Sequence, residues 1–193
     1  MIGDKMKFEL SKKEKALLSN LQGGVSQIKI YESCGYPCRV TFVLLDGTSV
    51  TIGATEEHIF HKFEVNPASV SELQLCCDPK QIIDFNTGAR PSAIFVLQKS
   101  DWVEGATDEE KVDLLGNPVG ALSQSEGRAA DIPENALGAV TFDAGVFIDF
   151  EHGESILVAT SMFPFALYVS DCAFSEEADA EIYDHIRLFG GGE

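Results

Sequence analysis

Positive charge is almost missing from the last third of this chain. Residues 131 to 193 hold one cation, Arg187, against 13 carboxylates, and the stretch 170 to 185, SDCAFSEEADAEIYDH, has six acids and no Lys or Arg. Such a surface has nothing with which to displace counterions from a phosphate backbone, which argues against direct DNA or RNA binding. It is also repelled by anionic membrane surfaces.

Other absences narrow the reading further. The start, MIGDKMKFELSKKEK, has charges where a secretory signal places its apolar segment, so no export is expected. The longest uncharged stretch, SILVATSMFPFALYVS, is interrupted by Pro164 and falls short of the roughly 20 apolar residues of a spanning helix. Five cysteines, an odd number without an export signal, read as reduced thiols in the cytoplasm and not as a disulfide framework. There is no G-x-S-x-G elbow and no phosphate-binding G-x-x-x-x-G-K-[ST] loop, and Gly190-Gly191-Gly192 is a terminal tail. No cofactor is expected, and nothing in the four histidines points to catalysis.

What is present is a foldable globular chain of 193 residues, 45% apolar and 23% charged. Its net charge of −17 is unevenly spread: residues 1 to 100 hold 11 cations and 11 acids, and residues 101 to 130 hold 2 and 7. All the excess lies in the second half. Three segments follow from this: a neutral β-rich half with an N-terminal helix (1–103), a loop or linker (104–135), and acidic hairpins with a C-terminal helix (136–193). One compact domain overall is equally compatible with the length.

Ser11 and Glu14 have the spacing of a capping box ahead of Ala16, Leu17, Leu18 and Leu21, which predicts a helix over Ser11 to Gln22. Strand composition follows in VSQIKIYE, CRVTFVLL, TSVTIGA, SELQLCC, SAIFVLQKSDWV, LGAVTFD, GVFIDFE, ESILVAT and FALYVS. Breaks fall at Asp78-Pro79 and Asn86-Thr87-Gly88, and Asp46-Gly47 is the clearest hairpin signal, suited to a type I′ turn. Between Glu104 and Asn135 only DEEKVDLL has helical character. VTFVLLDGTSVTIGAT and VFIDFEHGESILVAT share a strand, an acid-and-Gly turn and a strand ending in Ala-Thr. Convergence on common turn rules is favoured over true repetition. A final helix is predicted from an N-cap at Ser175, with Ala178, Ile182, Ile186 and Phe189 on one stripe and Glu177, Glu181 and Asp184 on another face. The fold class is therefore α+β, mostly antiparallel sheet with a helix near each terminus.

Metal and redox readings are weak. Cys34 and Cys38 have zinc-knuckle spacing, but the adjacent Cys76 and Cys77 point to opposite strand faces, and His58 and His61 lack the spacing and glutamate of a metallopeptidase helix. Asp149 and Glu151 share a strand face, and Asp143 has the same parity, so the competing hypothesis is a small metal-binding domain or metal-dependent hydrolase whose divalent ion is held by Asp143, Asp149 and Glu151, with His152 beside them. Trp102 is either a core residue or an interface anchor. The leading expectation is a non-enzymatic interaction protein, of inhibitor, immunity or adaptor type. It docks a basic protein through Asp149, Glu151, Glu177, Glu181 and Asp184. Self-association into a homo-oligomer is a further alternative.

Overall fold

The computed structural model describes residues 5–59, 63–73, 75, 77–104, 121–123, 136–151, 153–161, 166–170 and 183–190. In chain order the elements are β1 (Lys5–Phe8), α1 (Lys12–Ser19), a 3-10 turn (Asn20–Gly23), β2 (Val25–Ser33), β3 (Tyr36–Leu44) and β4 (Ser49–Ala54). Then come β5 (Glu57–Ile59), β6 (Phe63–Val65), β7 (Ala68–Ser71), β8 (Gln81–Ala89), β9 (Pro91–Glu104) and β10 (Ala121–Ser123). The chain continues through β11 (Ala136–Phe150), β12 (Ser155–Thr160), β13 (Leu167–Ser170) and β14 (Asp184–Gly190). It is mostly antiparallel sheet, and among the described residues its single α-helix lies near the N-terminus.

The first sheet has the spatial order β8-β2-β3-β4-β7. The second has the order β14-β9-β11-β12-β13, extended by β10 on the edge of β9 and by β1, in parallel, on the edge of β11. A small β5–β6 hairpin belongs to neither sheet and buries Val65 against Val140, Phe142 and Ala144 of β11. In both five-stranded cores the strand that comes last in the chain lies outside the one that comes first, so the two sheets share one topology.

The likeness extends to individual bonds. Val40↔Ile52 and Phe42↔Val50 in the first sheet correspond to Val146↔Val158 and Ile148↔Ile156 in the second. Ser26 is bulged out of β2 and its hydroxyl donates to the Val43 carbonyl at 3.1 Å; Ser92 is bulged out of β9 and donates to Asp149 O at 3.3 Å. Leu45 N–H donates to Gly24 O and Glu151 N–H to Arg90 O, at 3.0 and 2.9 Å. Thr55 N–H to Pro67 O and Ser161 N–H to Ala166 O are a further matched pair, both 3.0 Å. Turn rules account for a shared turn but not for a shared bulge, register and strand order. The hairpin likeness therefore extends to the sheets, which follow one plan, with residues 24–31 and 39–55 matched to 90–97 and 145–161. Only five of these 25 positions are identical.

Burial explains what the copies keep. Inner positions Ile28, Val40, Phe42, Val50 and Ile52 and their counterparts Ile94, Val146, Ile148, Ile156 and Val158 are all buried in one core. At about 1.5–3 kcal/mol for each large side chain removed from water, these positions admit little but apolar residues. Outer positions have diverged. Thr41 and Thr51, hydrogen-bonded at 2.8 Å, stand where the second sheet has Phe147 and Leu157. Arg39 lies over Gly53 in the first sheet, whereas in the second the glycine occupies the other place, Gly145 opposite Ala159.

Three local readings of the sequence are corrected. The β3–β4 hairpin forms, but its turn is a four-residue loop in which Gly47 alone is left-handed (φ 86) and donates to Leu44 O; the β11–β12 turn repeats it with Gly153 (φ 84). Residues 72, 73, 75 and 77 are not strand, because Thr51 captures Leu73 O with its hydroxyl and holds that segment on the outer face of the first sheet. Asn86-Thr87-Gly88 does not end a strand: β8 runs through it with an irregularity in its pairing to β2.

The largest correction concerns the C-terminus. Residues 184–190, assigned above to a helix, form β14, which pairs antiparallel with β9. Ile186 and Phe189 lie three apart, as one helical face requires, but the bulge at Leu188 puts them on the same face of a strand. Ser175, Ala178, Glu177, Glu181 and Ile182 lie outside the described residues, as do those of DEEKVDLL.

Helix α1 forms as its sequence predicts. Ser11 N–H and Oγ donate to the Glu14 carboxylate at 2.9 and 2.7 Å, and Glu14 N–H donates to Ser11 Oγ at 3.2 Å. The other Glu14 oxygen accepts Val70 N–H at 3.1 Å, which docks the helix on the β7 edge. Leu17, Leu18 and Leu21 enter the core.

Two stability predictions follow from this architecture. A Cβ on Gly145 would lie 2.5 Å from Val158 O and 2.8 Å from Ala159 Cα, both backbone atoms; one on Gly23 meets nothing within 4 Å. Gly145→Ala should therefore lower stability by about 1–3 kcal/mol in urea titrations, and Gly23→Ala should leave it unchanged or raise it by up to about 1 kcal/mol. The second concerns Glu14. Burial pushes its carboxyl up, but the bonds from Ser11 and Val70 together outweigh this and hold it below its ordinary value. Its contribution is thus present above the unfolded carboxyl value of about 4.3 and is lost as pH falls through the lowered folded value. Glu14→Ala should cost about 1 kcal/mol at pH 7, and the difference from wild type should vanish in strong acid.

Candidate functional site

The two matched turns lie at the same end of the sandwich, because β8 ends at Ala89 and β9 begins at Pro91 with only Arg90 between them. A Cβ on Gly24 would touch Leu45, and Arg90 Cγ would lie 3.6 Å from it, so the loops of both sheets meet there. Glu151 and Glu154 are exposed in the β11–β12 turn, and Asp46 is exposed in the β3–β4 turn. Hydrogen bonds from the hydroxyl and then the N–H of Thr48 hold the Asp46 carboxyl below its ordinary range. Asp149, the last outward residue of β11 before the turn, is half-buried and accepts the Ser155 hydroxyl at 2.7 Å. Asp46 and Glu72 also line a groove of about 790 Å³ beside the β3–β4 turn, with Leu17, Asn20 and Leu45.

The residues singled out in the sequence are only partly brought together. Asp149 and Glu151 sit at the turn end. Asp184 is exposed at the start of β14, opposite Gln98, whereas Asp149 lies opposite Ala93. Five residues along β9 separate these positions, about 17 Å at a strand's rise. Glu177 and Glu181 lie outside the described residues. Glu154 and Asp46 were missed; the paired acid-and-Gly turns were the signal that could have found them.

The proposed divalent-ion trio does not converge. Register shifts between Asp143 and Gly145, so Ala144 is bulged and the parity of β11 reverses there. Asp143 consequently faces the interior, fully buried, where it accepts Leu10 N–H at 2.7 Å and the Gln98 amide at 3.0 Å. Asp149 is on the opposite face and Glu151 is in the turn. Among the described residues no group of three His, Cys, Asp or Glu side chains is placed to hold a metal ion. His152, His61 and Cys76 lie outside those residues, as do the side chains of His58 and Trp102. Cys34 is exposed in the β2–β3 turn with φ 53, and Cys38 donates to Tyr31 O at 3.4 Å. Both are free thiols, as is Cys77.

The outer face of the second sheet holds a charged group that the sequence did not single out. Asp101 is 6% exposed; one carboxylate oxygen has no hydrogen-bond partner among the described residues, and the other faces Lys99 Nζ at 3.6 Å. Burial drives its carboxyl up, and the Lys99 charge only partly offsets this. Tyr183 is raised as well, by burial and then by the Asp101 charge, and it packs on Leu97, Leu157 and Ala159. Nearby, Arg187 stacks on Phe95 at 5.2 Å.

No protein-family model matches the chain, and neither a curated protein nor a solved structure matches it. No helix among the described residues is long and apolar enough to cross a membrane.

Asp101 yields a prediction about stability and pH. A carboxyl raised on folding costs stability above its folded value. That cost disappears as pH falls through the folded value toward the unfolded one, about 3.9. Asp101→Asn should therefore unfold at higher urea than wild type at pH 7, with the gap closing as pH approaches about 4. A less stable variant at pH 7 would show instead that the Lys99 pair outweighs the burial.

Proposed function

We propose that the protein is a non-catalytic cytoplasmic binding protein whose acidic surface docks a basic protein partner, in the manner of an inhibitor, immunity factor or adaptor. The observation that supports this most directly is a set of exposed carboxylates without cations: Glu151, Glu154 and Asp184 take part in no ion pair among the described residues. Asp149 and Glu151 with Glu154 and Asp46 make the turn end the first contact site, and Glu177 and Glu181 remain members of the acidic set by sequence. Such a face speeds encounter with a cationic partner and disfavours nucleic acids and anionic membranes.

A pull-down from the protein's own host lysate tests this, with wild type and the double variant Glu151→Lys, Glu154→Lys as baits. The expected result is a basic protein held by wild type, released as salt rises from about 0.05 to 0.5 M, and held at least tenfold more weakly by the double variant. Recovery of no basic protein, or binding indifferent to salt, would overturn the reading.

A further inference from the structure

Six strands end the two sheets or their extensions, and five of them are short, bulged or covered. β1, β10 and β13 have three or four residues. β7 is covered by α1, with Glu14 on its Val70 N–H, and β14 is bent by the bulge at Leu188. Short, bulged or covered edges resist pairing with another chain. The remaining edge, β8, is irregular between Asp84 and Ala89 but has an uncovered, regular stretch before it. β8 lies last in its sheet, and from Gln81 to Asp84 it is regularly paired with β2, leaving its outer side without a strand among the described residues. Lys80, Gln81 and Asp84 are exposed, and Ile82 between them is 49% exposed, a large apolar side chain on an open edge.

The segment is also complementary to itself. We propose that the β8 edge is where a second copy of this chain binds, the two strands pairing antiparallel about Ile82 so that the first sheets join into one. In that register Lys80 stands opposite the partner's Asp84, Asp84 opposite the partner's Lys80, and Ile82 opposite the partner's Ile82. Facing opposite charges and facing β-branched residues are both favourable cross-strand pairs. Gln27 donates to one Asp84 oxygen at 2.6 Å, which orients the carboxylate and leaves its other oxygen for the lysine. A pairing about a two-fold axis is closed, so it ends at two copies. Each chain carries net −17, and the two bodies repel at long range; at about 0.15 M salt the screening length of about 8 Å leaves the contact pairs in control.

Analytical ultracentrifugation at about 0.15 M salt, over a concentration series, tests this with three proteins. Wild type is expected to rise from 20.9 kDa toward twice that mass as concentration increases. Lys80→Glu places Glu opposite Asp84, and Asp84→Lys places Lys opposite Lys80; each alone should stay monomeric. Their equimolar mixture restores both opposite-charge pairs and should regain the dimer, which a folding defect in either variant could not do. A wild type that stays monomeric throughout, single variants that dimerise as well as wild type, a mixture that fails to recover, or growth beyond two copies would each overturn the proposal.

Discussion

Everything else in this molecule depends on the burial of two sheets against each other through matched apolar positions. Val40, Phe42, Val50 and Ile52 on one side and Val146, Ile148, Ile156 and Val158 on the other leave no room for polar atoms. The outer positions carry no such obligation. The first sheet uses its outer face for a Thr41–Thr51 hydrogen bond that ties down Leu73, and the second uses the same places for Phe147 and Leu157. One framework thus supports two differently surfaced sheets.

Much of the framework was legible because half-buried strands alternate. β9 was read to within a residue at each end, and the Ser11–Glu14 capping box located α1. What escaped was decided by bulges, which leave no signature in composition. The bulge at Leu188 let a helical spacing serve as a strand, and the bulge at Ala144 turned Asp143 into the interior and dissolved the expected trio with Asp149 and Glu151. The shared plan was hidden for a related reason. Its five identities are scattered among 25 positions, and the Ala-Thr endings that drew attention are one residue out of register, Ala54 matching Thr160.

The acidity has its own geography. The described residues hold 17 acids and 11 cations, net −6, so the larger part of the −17 belongs to residues outside them. Of the five residues chosen from the sequence, Asp149 and Glu151 are neighbours at one end and Asp184 lies near the other, because strand pairing and not chain proximity sets their places. Charge was therefore easier to read as a total than as a location. At the turn end, Glu151 N–H donates to the carbonyl oxygen of Arg90, the single residue between β8 and β9.

That one-residue junction bears on how the chain reaches its native state. Neither copy encloses the shared core alone, since each sheet supplies one wall of it. β8 passes straight into β9, yet β9 must then find β11 across an intervening segment, and β1 must wait for β11 to arrive. Most of the reward is non-local, which places this protein among the slow folders. A ribosome would have to release nearly the whole polypeptide before the first half gained a lasting shape.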